Sequence, residues 1–377
     1  MKSKIRNNLG LFIKLCFVFV LVIFLIILLI LKTNVDICEN WTRTFSRFYQ
    51  SVLGPIFKYV PFSLTEWIFV SIVVSSAILL IISIVKLAKK KYKKSLILFT
   101  NMCLIVLTTL VVYQATAEMA YNRDSVPISL YNEKVEKDKF RTIIDYYVSD
   151  LNYCENQLKH NENGEIVNPY SNKEMNELME QEYKRIEDPY FTSFTMYGKP
   201  MLSSFLYREF HITGVTFLPT TEANINYLNV NAGKPFTLAH EIAHTKGVMR
   251  EDDANLVAAY LLLTSDNPYF RYSAYYYTIS SLLSLADYTG NVDEYNDVIS
   301  TINSGVKQDW SYCNKYWNEH NSMANFANWV NDTYLKLSGA NKGVESYNDS
   351  PIIVDPTKKE ITLFSTYQKL YFQLFFN

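Results

Sequence analysis

Residues 235–244 read Pro235-Phe236-Thr237-Leu238-Ala239-His240-Glu241-Ile242-Ala243-His244, and helical periodicity dominates from Pro235 onward. On a helix, two imidazoles four residues apart face the same side and can grip one metal ion, with Glu241 beside them. Zinc accepts neutral imidazole nitrogen and lowers the pKa of bound water toward about 7, and a nearby carboxylate then takes the proton during attack on a carbonyl. His240 and His244 are therefore expected to ligate Zn2+, and Glu241 to serve as general base. The flanking positions are uncharged, as a buried active-site helix requires, and the chain holds only five histidines. A helix that merely carries two ordinary histidines is the competing interpretation.

A catalytic zinc usually has three protein ligands and one open position, so the chain must supply a third. Glu251 is expected to fill that place. Gly247 permits a sharp turn after the first helix, and Glu251-Asp252-Asp253-Ala254-Asn255 opens another with an apolar face through Leu256, Ala259 and Leu263. Asp253 and Asp252 are the rival carboxylates, and an acidic helix start favoured by the dipole is the structural alternative. Arg250 stands where a His-Glu-x-x-His-x-x-Gly-x-x-His protease has its third histidine; a guanidinium does not ligate zinc, so that subclass is excluded. Asn255, one turn beyond Glu251, is suited to hold the other nitrogen of a ligating histidine.

Peptide hydrolysis also calls for a donor to the developing oxyanion, and Tyr272, His211 and Arg271 are the suitable groups nearest in sequence. Tyr272 is the catalytic candidate among them, although packing competes for each of the 29 tyrosines. His211, between Phe210 and Ile212, also suits a satisfied core position. Glu222 and Asn224 fit either a strand that aligns substrate or the cap of a turn.

Ahead of this region lie three apolar stretches, 15–31, 67–85 and 96–112, each long enough to cross a hydrocarbon core of about 30 Å as a helix. The first is followed by Lys32-Thr33-Asn34-Val35-Asp36 rather than a small-residue cleavage site, so it is expected to be retained. Lys2, Lys4, Arg6 and Lys14 precede it, and Lys86, Lys89, Lys90, Lys91, Lys93 and Lys94 separate the second from the third. Both basic segments are expected on the cytoplasmic side, which places the N-terminus inside and everything after the third span outside. With no charge within the spans and Asn101 standing alone, they read as an anchor rather than a transport pathway.

Residues 1–117 therefore form an expected three-span anchor and 118–377 an extracytoplasmic domain. Almost half of the 377 residues are apolar, ample for a core, and the net charge of -1 provides no field to attract nucleic acid. Cys16, Cys38, Cys103, Cys154 and Cys313 are scattered, with no CxxC pair to suggest a metal clip. Abundant Asn, Lys, Ile and Tyr suit an AT-rich bacterial genome. Residues 133–160 carry Phe140, Ile143, Ile144, Tyr147 and Leu151 at helical spacing, and 172–187 reads as a second helix. Short β-rich pieces, Gly214-Val215-Thr216-Phe217-Leu218 and Ile225-Asn226-Tyr227-Leu228, predict a small sheet. Helix breaks are expected near Gly247, Asn267-Pro268, Gly290, Gly305 and Gly339.

Glu251-x-x-Ala254-Asn255 resembles the Glu-x-x-Ala-Asp/Asn element of gluzincin metallopeptidases, including the membrane-bound CAAX-processing and immunity-repressor-cleaving types. In those the Glu is the third zinc ligand. More of the chain resembles an uncharacterised bacterial family of membrane proteins, with a few N-terminal spans before an HExxH domain. That similarity rests on Pro61-Phe62-Ser63, Tyr121-Asn122-Arg123, Thr221-Glu222-Ala223-Asn224, Pro235-Phe236-Thr237, 250–255, Arg271-Tyr272-Ser273 and Gly343-Val344-Glu345-Ser346-Tyr347. Asp253 stands where that family is expected to favour Glu, which leaves Glu251 the better ligand.

The expected fold class is α+β, mostly α-helical, with a small sheet in a zincin-like domain. The expected activity is zinc-dependent hydrolysis of a peptide or protein substrate at a bacterial cell membrane, with the lipid bilayer as partner and no nucleic acid. A catalytically inactive zinc-binding sensor, or a scaffold membrane protein, is the alternative.

Overall fold

Long apolar runs bounded by lysines dominate the first third of the chain, and there the backbone is almost continuously helical. The structure is a computed structural model that describes residues 2–186, 188–288, 292–338, 360–362 and 365–376, and it is mostly helical. The chain divides into two compact units, Met1–Asp124 with Phe217–Glu222, and Ser125–Thr216 with Ala223–Asn377.

The first unit opens with α1 (Lys2–Leu31), short α2 (Val35–Trp41), a π-helical turn at Thr42–Ser46 and α3 (Arg47–Lys58). Then come α4 (Leu64–Ala88), α5 (Tyr92–Thr116) and a 3-10 turn at Glu118–Asn122. Helical stretches Asn8–Leu31, Leu64–Ala88 and Tyr92–Asn122 are long and apolar enough to cross a membrane. They outrun the apolar segments in sequence because a helix continues through polar flanks until something caps it. At the start of α4 the cap is Ser63, whose side chain accepts from the Glu66 N–H. Glu222 adds to it by accepting from the Thr65 N–H and hydroxyl, each at 2.7 Å, so this carboxylate serves as a cap. α5 packs on both α1 and α4. Asn101 does not stand alone as expected: its Oδ1 accepts from Lys14 Nζ at 2.6 Å. At the far end of α5, Ala115 O accepts from Trp41 Nε1 at 2.8 Å, and Arg123 forks onto Glu39.

The second unit begins with β1 (Lys134–Glu136) and α6 (Lys137–Asn156), whose Ile143, Ile144, Tyr147 and Leu151 are buried as the periodicity predicts. The Phe140 side chain lies outside the described residues. α7 (Asn172–Lys184) starts at Ser171 with a capping box closed by Glu174. β2 (Gly198–Pro200), α8 (Ser204–Glu209), β3 (Gly214–Phe217) and β4 (Glu222–Ile225) follow, and the sheet runs β2-β4-β3 with Lys199 opposite Asn224 in a parallel pair. β4 ends where the sequence predicts a strand to begin, because Asn226 Oδ1 accepts from the Leu228 N–H and turns the chain.

Helices α9 (Lys234–Thr245), α10 (Glu251–Leu263) and α11 (Pro268–Tyr288) form the centre, α11 packing against α6, α9 and α10. α12 (Val292–Thr301), α13 (Ser304–Glu319), α14 (Ala324–Ser338), β5 (Glu360–Thr362) and α15 (Thr366–Phe375) complete it, with β5 antiparallel to β1. Gly247 and Asn267-Pro268 do break helices, but Gly305 lies in the first turn of α13. A Cβ on Gly305 would come 1.9 Å from Glu155 Oε1, so its glycine answers a close approach rather than a stop. Gly290, Gly339 and the Gly343–Tyr347 run lie outside the described residues.

Candidate metal centre

Helix α9 ends in a turn whose chemistry follows from one glycine. Gly247 has φ of 90°, which favours a residue without Cβ. Its N–H reaches His244 O at 3.0 Å and the Val248 N–H reaches Ala243 O at 3.2 Å, the paired bonds of a Schellman cap. The reversal presents Val248 O to His244, whose Nδ1 lies 2.7 Å away and donates to it. That bond leaves His244 Nε2 as the nitrogen facing the neighbouring helix, where a metal would bind.

Glu251 is the first residue of α10, which packs beside α9. Its Oε2 lies 3.1 Å from His240 Nε2 and 3.6 Å from His244 Nε2, and the two nitrogens are 3.1 Å apart. A tetrahedral zinc with bonds of about 2.0–2.1 Å sets its ligand atoms about 3.3–3.4 Å apart, so the spacing fits such an ion. Two imidazoles and one carboxylate are also a donor set that zinc accepts. Among the described residues this is the group of three or more His, Cys, Asp or Glu gathered closely enough to hold a metal. The side chains of His240 and Glu251 remain 13% and 15% exposed, so the cluster is reachable from one side.

The charges at the cluster are strongly linked. Burial opposes charge on His244, yet the Glu251 carboxylate beside it prevails and lifts the imidazole to about 9. Burial likewise opposes charge on Glu251, but the two imidazoles hold it well below the usual carboxylate range. Without metal, the pair therefore keeps a proton where the metal would sit.

Glu241 projects from α9 toward β3. The Thr216 hydroxyl lies 2.8 Å from both the main-chain oxygen and Oε2 of Glu241. A Cβ on Gly214 would lie 2.5 Å from Glu241 Oε1, so the strand comes this close only because residue 214 is glycine. Positions 214 and 216 share a face because a strand alternates its side chains. Burial pushes the Glu241 carboxyl above its usual range, while both imidazoles and the Thr216 hydroxyl pull it part of the way back.

The other sequence candidates are placed elsewhere. Asp252 is exposed, and Asp253 is bound by Arg250 at 2.9 Å, so neither joins the cluster. Burial carries the Asp253 carboxyl up to about 6 against the pull of that guanidinium. Asn255 holds neither imidazole: His244 Nδ1 is taken by Val248 O, and His240 Nδ1 is buried with no partner among the described residues. Tyr272 is fully buried in the core, and its hydroxyl donates to Asp309 Oδ2 at 2.8 Å. His211 is exposed, its ring nitrogen bonded to Trp317 O, and Arg271 lies on Ser265 O and Cys154. Asn224 is buried in β4 and donates to Val215 O at 3.1 Å.

The fold and site define a mostly helical protein with three apolar helices of membrane-crossing length and a His-His-Glu cluster on two adjoining helices. Over residues 41–353 the chain matches the family described as "Protein of unknown function (DUF3810)", and it belongs to that family. No curated protein and no solved structure matches it.

Proposed function

We propose that the protein is a membrane-anchored, zinc-dependent metallopeptidase whose second unit is a zincin-like, gluzincin-type domain. One observation carries this: the metal-facing atoms of His240, His244 and Glu251 converge at 3.1–3.6 Å, with Glu241 on the same helix as the two histidines. Bound zinc supplies Lewis acidity, acidifying water and polarising a carbonyl. Glu241 takes the proton from the attacking water and passes it to the departing amine nitrogen, work for which a carboxylate raised by burial is suited. Thr216 fixes the direction in which that carboxylate points, and Gly214 leaves room for it. Tyr272, engaged with Asp309, takes no part in the proposed machinery.

The apolar helices anchor the chain in a bacterial cell membrane. Lysine-rich segments at the N-terminus and at 86–94 support a cytoplasmic position for those ends and an outer position for the cluster. Peptides or proteins are the substrates that this donor set and base suit.

Elemental analysis of the purified full-length chain, alongside cleavage of a quenched peptide library, tests the proposal. Wild type is expected to hold about one zinc per chain. His240→Ala and Glu251→Ala are expected to lose it, and Glu241→Gln to keep it while cleavage falls by about 10²-fold or more. Full zinc affinity in Glu251→Ala removes the ligand assignment. Zinc without cleavage of any peptide replaces the peptidase with an inactive sensor, and no zinc at all leaves a scaffold.

A further inference from the structure

Helix α3 is built inside out. Its buried positions Ser46, Gln50, Gly54 and Lys58 recur every four residues, starting from the preceding turn, and none has an apolar side chain. Gln50 is 4% and Lys58 6% exposed. Apart from Ser51 the strongly outward positions are apolar: Phe45, Phe48, Val52, Ile56 and Tyr59, with Phe48 at 68%, Ile56 at 61% and Tyr59 at 73% exposed. A helix on a water-facing surface shows the reverse arrangement.

The medium that suits such a helix is indicated by its tethers. α1 stops at Leu31 and α4 starts at Leu64, so α2 and α3 occupy the link between two helices of membrane-crossing length. They are fastened to the end of α5, where Trp41 Nε1 and the Ser46 hydroxyl both reach Ala115 O, and Asn122 Nδ2 reaches Lys32 O at 2.8 Å. The start of α3 is thereby held at the level where the apolar helices begin and end. Aromatic side chains gather in this link, where the Trp41 and Phe45 rings lie 5.0 Å apart and those of Phe45 and Tyr49 6.2 Å apart, with Tyr59 and Trp67 further along the chain, a composition like the aromatic belts of membrane interfaces.

We infer that α3 is a membrane-immersed interfacial helix, its Phe48–Val52–Ile56 face sunk into the acyl-chain border of the leaflet that meets the outer ends of α1 and α4. The inference rests on the membrane anchoring proposed above. The link between the first two apolar helices is then part of the lipid-contacting surface rather than a loop in water. The Lys58 and Gln50 side chains are turned toward protein, away from hydrocarbon, where an unsatisfied polar group is costly.

The test uses the unmodified full-length chain in phosphatidylcholine nanodiscs that contain a phosphatidylcholine with a diazirine near the top of one acyl chain. After illumination, lipid adducts are located by mass spectrometry. Adducts are expected on peptides 45–59 at a yield within about threefold of those on α1 and α4, while the α6 peptide carrying exposed Tyr153 stays near background. Labelled α1 and α4 with an unlabelled α3 overturns the inference and leaves the anchor standing. A second copy seated on the Phe48 face would give that same result, because it would shield peptides 45–59 from the lipid label. Absence of lipid adducts from α1, α4 and α3 alike removes the anchor and the inference together.

Discussion

A methyl group at Gly214 and the Glu241 carboxylate compete for the same space. Gly214→Ala is expected to displace that carboxylate and lower peptide cleavage by about tenfold or more while leaving zinc content at the wild-type level. Thr216→Val removes a bond that lowers the Glu241 pKa, so the acid limb of the rate profile is expected to move to higher pH, with kcat falling more than KM and Thr216→Ser restoring both. A second pH effect concerns folding. His244, lifted from 6.5 to about 9, contributes stability that is fully present below pH 6.5 and lost as pH rises through about 9. Glu251, lowered from 4.5, contributes stability present above pH 4.5 and lost as pH falls through its folded value. The Tm of chelator-treated protein is therefore expected to decline between pH 6.5 and 9. Zinc-loaded protein is expected to hold its Tm there, because the metal replaces the proton. His240, His244 and Glu251 were legible in sequence because helical spacing and one turn-permitting glycine bring them together locally. Gly214 and Thr216 reach Glu241 across some 25 residues of chain, and only a glycine inside a strand signalled a close approach.

Among the elements, the α9–α10 corner depends most on a single position. Gly247→Ala forces a side chain into a left-handed conformation, at a cost of about 1–2 kcal/mol, and disturbs the Val248 carbonyl that orients His244. Zinc affinity measured by competition with a chromophoric chelator is expected to drop about 10–100-fold, the range for losing such an orienting bond. The core tyrosine behaves differently. Tyr272→Phe strips the hydroxyl from buried Asp309, so a stability loss of about 1–3 kcal/mol is expected by chemical denaturation, with zinc content unchanged. The α6, α7, α9 and α10 helices are legible from helical periodicity and from the Gly247 break between the last two. The end of β4 could not, because the Asn226 turn overrides a locally β-rich composition. Gly305 reads locally as a helix break, and its close approach to Glu155 has no local signal because the two are far apart in sequence.

For the molecule as a whole, the lysine distribution sets a testable topology. Added to intact spheroplasts, a membrane-impermeant amine reagent is expected to label Lys173 and Lys315, both exposed on the second unit, and to spare Lys89–Lys94 until the membrane is opened. Labelling in the opposite order would turn the chain over. The apolar lengths are plain in the sequence, whereas the inverted polarity of α3, in the link between the first two of them, is not. A helix whose buried face is polar can be recognised only once burial is known.

The five cysteines are all unpaired, and Cys154 and Cys313 are buried within the second unit. Burial lifts the Cys154 thiol to about 11 and raises Cys313 as well, so neither offers thiolate to an alkylating reagent while the fold is closed. The chain thus carries native clocks of its own breathing. Timed exposure to iodoacetamide would read how often the α6 and α13 neighbourhoods open, without engineered probes and without any reductant in the buffer.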